Sequence, residues 1–108
     1  MSNPYSVQQP ARAEIDAMQG VVALDFGTDW CGYCRGAEAG ITAALAEAPQ
    51  VRHLKVEDGP GRPLGRSFRV KLWPTMVVLR DGQEVARVVR PADAAEVREA
   101  LAQAQLAQ

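Results

Sequence analysis

Residues 21–34 read VVALDFGTDWCGYC and carry the strongest signals for both fold and chemistry. The run from Val21 to Phe26 is almost wholly apolar, which is typical of a strand covered on both faces of a sheet. Cys31 and Cys34, the only two cysteines, follow a turn and precede a helical pattern. The start of a helix offers free N–H groups and the positive end of its dipole, which favour a thiolate. We therefore expect a strand, a turn and a helix, with Cys31 as the candidate nucleophile.

Hydrophobic periodicity predicts further elements on both sides of this stretch. Residues 1–9 have no clear pattern and form either a disordered leader or a short edge strand near Tyr5–Val7. The predicted elements are a helix over 11–18, a strand over 21–26, a helix over 34–48, a strand over 51–57, a short helix over 64–70, strands over 76–79 and 84–89, and a helix over 92–107. This order predicts an α/β fold with a central mixed sheet of four or five strands and helices on both faces.

The length and charge of the chain limit its class. We expect one domain over residues 1–108, long enough to bury its own core, and a monomer. The formal net charge is −1, from 12 Lys and Arg against 13 Asp and Glu, so no nucleic-acid partner is expected. No apolar run approaches the length of a membrane span, so we expect no membrane partner.

The N-terminus predicts the compartment. Met1 to Tyr5 lack the basic start and apolar run of a secretory signal, so we expect a cytoplasmic protein whose thiols are kept reduced. A mature chain whose signal had been removed would look much the same, although Met1 argues against that.

Asp25 interrupts the apolar run before the cysteines. A carboxylate is costly to bury, so we expect that it is either kept protonated or held by a specific partner. The alternative is that Asp25 is the last polar residue before a loop, although apolar Phe26 follows it.

Three separated features resemble the thioredoxin family. The pattern Val-x-x-x-Asp-Phe-x-x-x-Trp-Cys-Gly-x-Cys spans 21–34, Pro74-Thr75 opens an apolar strand, and Asp81-Gly82 gives a hairpin signal. One Cys-x-x-Cys is weak support, whereas the three features together are strong. The resemblance covers most of the chain and implies a thioredoxin fold.

The same resemblance implies a protein-disulfide oxidoreductase with no bound cofactor, in which a redox-active Cys31–Cys34 disulfide does the work. The implied partners are disulfide-containing protein substrates, with thioredoxin reductase or glutathione as the electron donor. When the two thiols of Cys31 and Cys34 pass two electrons to the substrate, they form the Cys31–Cys34 disulfide, which the electron donor then reduces.

The resemblance also assigns roles by position. Cys31 corresponds to the attacking thiolate and Cys34 to the resolving thiol. Asp25 corresponds to the buried acid that helps take a proton from the resolving cysteine. Pro74 corresponds to a cis proline that leaves the backbone of Trp73 free to pair with an extended substrate segment, and a cis peptide bond is rare enough to be a pointed prediction.

The chain departs from the family pattern near the cysteines. Gly27 stands where an aromatic residue is usual, and Ala39 stands where a helix-bending proline is usual. The residues between the cysteines are Gly32-Tyr33 in place of Gly-Pro. Loss of that proline is expected to favour the reduced thiolate form and to make the disulfide more oxidising.

Further departures fall on the expected substrate rim. Trp73 replaces a smaller aliphatic residue, and Arg90-Pro91 replaces Gly-Ala, so we expect a narrower groove that favours acidic or small thiols. His53 stands where many members have a lysine near the buried acid, or is simply an exposed strand histidine. The substrate-contact candidates are Trp30, Gly32, Tyr33, Trp73, Pro74 and Arg90.

Two alternatives to catalysis come from other classes of function. A closed zinc site needs four ligands, and the chain offers Cys31, Cys34 and a single histidine, so only a dimer that shares two pairs would complete one. The second alternative is a protein-binding module in which the cysteine pair is vestigial or regulatory. A protein that only binds a partner has no use for the intact cysteine pair or for Asp25.

Overall fold

The computed structural model of the chain describes residues 4–106. Within that range all eight predicted elements are present, and their ends differ from the prediction by at most three residues. The elements are α1 Arg12–Asp16, β1 Val21–Gly27, α2 Gly32–Ala46, β2 Arg52–Glu57, α3 Pro63–Ser67, β3 Thr75–Arg80, β4 Gln83–Val89 and α4 Ala94–Leu106. The predicted end of the last helix at 107, like residues 1–3 of the predicted leader, lies outside the described residues.

The four strands form one mixed sheet in the order β2-β1-β3-β4. Strand β1 runs parallel to β2 and antiparallel to β3, and β3 runs antiparallel to β4. The predicted edge strand near Tyr5–Val7 is reduced to a single parallel bridge between Ser6 and Val56. It is held because Ser6 N donates to Lys55 O at 2.9 Å and Glu57 N donates to Ser6 O at 2.8 Å.

Strand β1 is buried on both faces, as its apolar run predicts. Ala23 faces a core that is shared with α2 and α4, whereas Leu24 and Phe26 face a second core that is shared with α1 and α3. The helices therefore cover both faces of the sheet. Complete burial of a leucine or phenylalanine contributes about 1.5–3 kcal/mol, so β1 is firmly fixed as the strand from which the cysteine motif extends.

No helix among residues 4–106 is both long enough and apolar enough to cross a bilayer.

Candidate active site

The two cysteines lie where β1 passes into α2. Cys31 is the N-cap of α2, and its Sγ accepts a hydrogen bond from the backbone N–H of Cys34 at 3.3 Å. Cys31 is 9% exposed and Cys34 is 3% exposed, and both carry free thiols. The sequence analysis expects Cys31 at the start of a helix, over its free N–H groups, and the structure places it there, with both sulfurs largely buried.

The thiol of Cys31 is the more acidic of the pair. Burial by itself would raise its pKa, but hydrogen bonds from the Cys34 thiol and from the backbone N–H groups of Cys34 and Tyr33, together with the charge of Arg90, lower the pKa of Cys31 below its ordinary value. Because only the thiolate is nucleophilic, these contacts favour the reactive form of the Cys31 sulfur.

The thiol of Cys34 is shifted in the opposite direction. Burial and then the hydrogen bond and charge of Cys31 raise the pKa of Cys34 to about 12, and contacts with Thr28 and Tyr5 offset only part of that rise. Cys34 is therefore a neutral thiol at physiological pH and requires a proton acceptor before it can attack.

Asp25 lies within β1 and is 2% exposed. The hydroxyl of Tyr5 donates to its Oδ1 at 2.9 Å, and His53 Nε2 lies 3.2 Å from its Oδ2. The expectation of a specific partner for this buried carboxylate is thereby confirmed. Of the two interpretations of His53, the structure supports the one in which it neighbours the acid.

Tyr5 is the residue of the site that sequence reasoning missed. Its N–H donates to Asp29 Oδ1 at 3.0 Å, and Lys55 Nζ lies 4.4 Å from the centroid of its ring. The segment around it has no hydrophobic period, so no pattern marked it. The one available signal was Gly27: a Cβ placed there would lie 2.5 Å from Cys34 Sγ and 2.8 Å from the Tyr5 hydroxyl. The absence of a side chain at Gly27 leaves the room that Tyr5 occupies.

Two tryptophans form one part of the rim. Trp30 is 71% exposed, and its ring packs edge-to-face against that of Trp73, with centroids 5.7 Å apart. Trp73 Nε1 donates to Asp58 Oδ2 at 2.9 Å, which fixes the orientation of its indole. The peptide bond between Trp73 and Pro74 is cis, as predicted.

Arg90 changes one expectation for the groove. The carbonyl of Trp73, expected to be free for a substrate backbone, accepts a hydrogen bond from Arg90 Nε at 2.8 Å. The guanidinium also stacks on the exposed ring of Tyr33, with its carbon 3.7 Å from the ring centroid. The rim of the free protein is thus closed at this point by the side chain of the residue that directly follows β4.

The structure gathers the predicted site residues into one region. Cys31, Cys34 and Tyr5 form one buried cluster, and the half-buried Trp73 packs against it. An open cavity of about 490 Å³ adjoins the helix start and is lined by Gly32, Tyr33, Gly36, Ala37, Arg90 and Pro91. Among the described residues, no group of three or more His, Cys, Asp or Glu side chains is placed to hold a metal ion.

Comparison with known proteins gives a consistent result. The sequence model of the family described as Thioredoxin matches residues 6–103. The thioredoxin of Chlamydia trachomatis is 39% identical over 71 residues, which cover 65% of this chain and 69% of that protein.

Solved structures are similar over more of the chain. Thioredoxin 2 of Pseudomonas aeruginosa in its reduced form is 56% identical, with a TM-score of 0.84 and coverage of 94% of both chains. The thioredoxin of Fasciola hepatica is 29% identical, with a TM-score of 0.68 and coverage of 83% of this chain and 84% of that one.

Members of this family exchange thiols and disulfides through their redox-active cysteines and need no further cofactor. In this chain, Cys31 and Cys34 have the Cys-x-x-Cys spacing of such a pair at the start of α2. The chain therefore belongs to the thioredoxin family and is a thiol–disulfide oxidoreductase.

Proposed function

We propose that this chain reduces disulfides in protein substrates, with Cys31 as the attacking thiolate and Cys34 as the resolving thiol. The observation that carries the proposal is the place of Cys31 at the N-cap of α2, where its Sγ accepts a hydrogen bond from the N–H of Cys34 at 3.3 Å. The pKa of Cys31 is lowered there, whereas the pKa of the more deeply buried Cys34 is raised to about 12. Because a thiolate attacks and a thiol does not, Cys31 acts first.

The reaction has two exchange steps. Cys31 Sγ attacks one sulfur of the substrate disulfide, the substrate S–S bond breaks, and the departing sulfur leaves with the electron pair and takes a proton from water. A mixed disulfide remains. Cys34 then gives up its proton and attacks Cys31 Sγ, which releases the second substrate sulfur as a thiolate. The substrate gains two electrons, and the pair ends as the Cys31–Cys34 disulfide.

Asp25 is the proposed acceptor for the proton of Cys34. A carboxylate that is held in place is a suitable general base for a positioned transfer of this kind. Its burial and its contacts with Tyr5 and His53 support the assignment, because they fix both carboxylate oxygens.

The rim residues Trp30, Gly32, Tyr33, Trp73, Pro74 and Arg90 are the proposed substrate contacts. An extended substrate segment pairs with the backbone of Trp73, and Arg90 gives up its hydrogen bond to that carbonyl in exchange. The guanidinium that is released in this way supports a preference for acidic groups near the substrate disulfide.

The chain acts as a single domain over 1–108 and as a monomer in the cytoplasm, where it takes part in redox homeostasis. Thioredoxin reductase or glutathione returns electrons to the Cys31–Cys34 disulfide. The near-zero formal net charge of −1 gives no support for a nucleic-acid partner.

A trapping experiment tests the order of attack. Cys34→Ser incubated with insulin should accumulate mixed disulfides through Cys31, because the second step is blocked, and dithiothreitol should release them. The matched variant Cys31→Ser should trap almost none, since the remaining thiol is protonated. Equal trapping by both variants, or failure of the wild-type protein to reduce insulin, would overturn the proposal.

A further inference from the structure

The hydroxyl of Tyr5 lies between the buried acid and the resolving cysteine. It donates to Asp25 Oδ1 at 2.9 Å. It also lies beside the side chain of Cys34, in the buried cluster that these two residues form with Cys31. Both Cys34 Sγ and the Tyr5 hydroxyl lie within 2.8 Å of the point that a Cβ on Gly27 would occupy. One oxygen therefore hydrogen-bonds the group that can accept a proton and lies beside the thiol that must lose one.

The position of Tyr5 is fixed by contacts on three sides. Its N–H is bound by Asp29 Oδ1, the next residue is bridged to β2, and its ring packs in the cluster that contains Cys31 and Cys34. A hydroxyl held in this way stays beside Asp25 and Cys34, because the Tyr5 side chain is already in the required rotamer.

We propose that the Tyr5 hydroxyl relays the proton of Cys34 to Asp25 during resolution of the mixed disulfide. The proposal rests on the proposed function, because it concerns the second of the two exchange steps. It adds a residue that belongs neither to the cysteine motif nor to the strand that carries the acid.

The step balances in atoms and charge. As Cys34 Sγ forms its bond to Cys31 Sγ, the bond between Cys31 and the substrate sulfur breaks, and the substrate leaves as a thiolate with the electron pair. The proton of Cys34 passes to the Tyr5 oxygen while the original Tyr5 proton passes to the Asp25 carboxylate. Tyr5 is unchanged at the end, and Asp25 holds the proton.

The surroundings favour a relay over storage of charge at Tyr5. Burial, and then the negative charge of Asp25, raise the pKa of the Tyr5 phenol well above its ordinary value. The phenol therefore stays protonated and can only pass a proton on as it receives one.

The proton also has a way out of Asp25. A cavity of about 380 Å³ is lined by Tyr5, Asp25, His53 and Lys55, together with residues of α2. His53 contacts the acid at 3.2 Å and its side chain is 27% exposed. The ring of His53 thus connects the buried carboxylate with water, so that the acid can be cleared before the next turnover.

The test is Tyr5→Phe, which removes the hydroxyl and keeps the ring. Reduction of insulin is followed under single-turnover conditions with acid quench, and the decay of the mixed disulfide is measured from pH 5 to 10. We expect its plateau rate to fall by at least about tenfold, since general acid–base catalysis typically contributes about 10²–10⁴-fold. The rate of Cys31 alkylation by iodoacetamide should stay within about twofold, since Tyr5 is absent from the contacts that lower the pKa of Cys31.

The matched control is Ser6→Ala, which removes the neighbouring hydroxyl and keeps the backbone bridge to β2. Its decay rate should equal that of the wild-type protein. A plateau for Tyr5→Phe that equals the control overturns the relay. A pH profile of the decay rate whose midpoint shifts while its plateau is unchanged also overturns the relay, because Tyr5 would then only alter the pKa of Asp25. Urea unfolding confirms that the variants being compared are folded.

A double variant separates one shared path from two independent effects. If Tyr5 and Asp25 act in series, Tyr5→Phe combined with Asp25→Asn should be no slower than the slower single variant, whereas multiplied losses would overturn the relay. If the wild-type protein itself fails to reduce insulin, the proposed function fails first. If only the effect of Tyr5→Phe is missing, the relay alone fails.

Discussion

The side chain of Arg90 makes three contributions to the site from one position. It stacks on Tyr33, its Nε donates to the carbonyl of Trp73, and its charge helps to lower the pKa of Cys31. Its backbone has φ of 50°, in the left-handed region that favours glycine. An arginine in a conformation that costs free energy supports a role for its side chain at the groove.

Replacement of Arg90 separates those contributions. Arg90→Gly should lower KM for an uncharged peptide disulfide by about fivefold, because substrate no longer displaces a hydrogen bond worth about 1 kcal/mol. It should also slow alkylation of Cys31 near neutral pH by about twofold, since an exposed charge is partly screened. Arg90→Lys, which keeps the charge, should leave alkylation unchanged. An unaltered or higher KM for Arg90→Gly would contradict a blocking role.

Single residues also show what the sequence could not provide. Cys31, Cys34 and Asp25 were predicted because they lie in one motif whose local structure follows from helix and strand rules. Tyr5 pairs with Asp25 across 20 residues, and Arg90 pairs with Trp73 across 17. Neither contact has a periodic signature, because each depends on how strands are placed side by side.

Among the elements, turns and helix ends were predicted where glycine decides the backbone. Asp81-Gly82 predicted a hairpin, and both residues have positive φ, at 50° and 84°, as a tight two-residue turn requires. The end of α3 was predicted too late, at residue 70. Arg69 turns into the left-handed region, with φ of 58°, and Val70 N donates back to Gly65 O, so the helix stops at Ser67.

The hairpin is a direct test of the packing between β3, β4 and α1. A Cβ on Gly82 would collide with the backbone carbonyl of Asp16, and its φ of 84° is unfavourable for alanine. Gly82→Ala should lower the free energy of unfolding in urea by roughly 1–3 kcal/mol.

The matched control for the hairpin is Gly36→Ala in α2. A Cβ on Gly36 meets nothing within 4 Å. Because alanine is the better helix former, this variant should gain about 0.5–1 kcal/mol. Equal stability of Gly82→Ala and the wild-type protein would show that the turn can move away from α1.

At the scale of the whole molecule, the site is assembled from separate parts of the chain around the end of β1. The cysteine motif supplies one part, β2 supplies His53, the segment before α1 supplies Tyr5, and the strand ends of β3 and β4 supply Trp73 and Arg90. The layered sheet could be predicted because each helix and strand has its own local sequence pattern. The assembly depends on strand order, so it could be expected only through the resemblance to a known family, and the place of Tyr5 in it was not predicted.

The reduction potential is the property that this assembly sets as a whole. Contacts that lower the pKa of Cys31 stabilise the reduced form of the pair, and the tyrosine at position 33 stands where the family has proline. We therefore expect a potential less negative than the roughly −270 mV of thioredoxin, measured by equilibration with glutathione and followed by the fluorescence of exposed Trp30. A value above about −220 mV would indicate a glutathione-linked or isomerase-like role.

Tyr33→Pro is the informative variant for this measurement, because it restores the residue pair Gly-Pro between the cysteines. Its potential should move toward −270 mV, and each shift of about 30 mV corresponds to a tenfold change in the equilibrium between the two redox states. A wild-type value at or below about −270 mV would show that the Cys31 contacts do not govern the couple. Stabilisation of the Cys31 thiolate would then have to be balanced by an equal stabilisation of the Cys31–Cys34 disulfide. If Arg90 contributes equally to both forms, the reduction potential of Arg90→Gly should equal that of the wild-type protein.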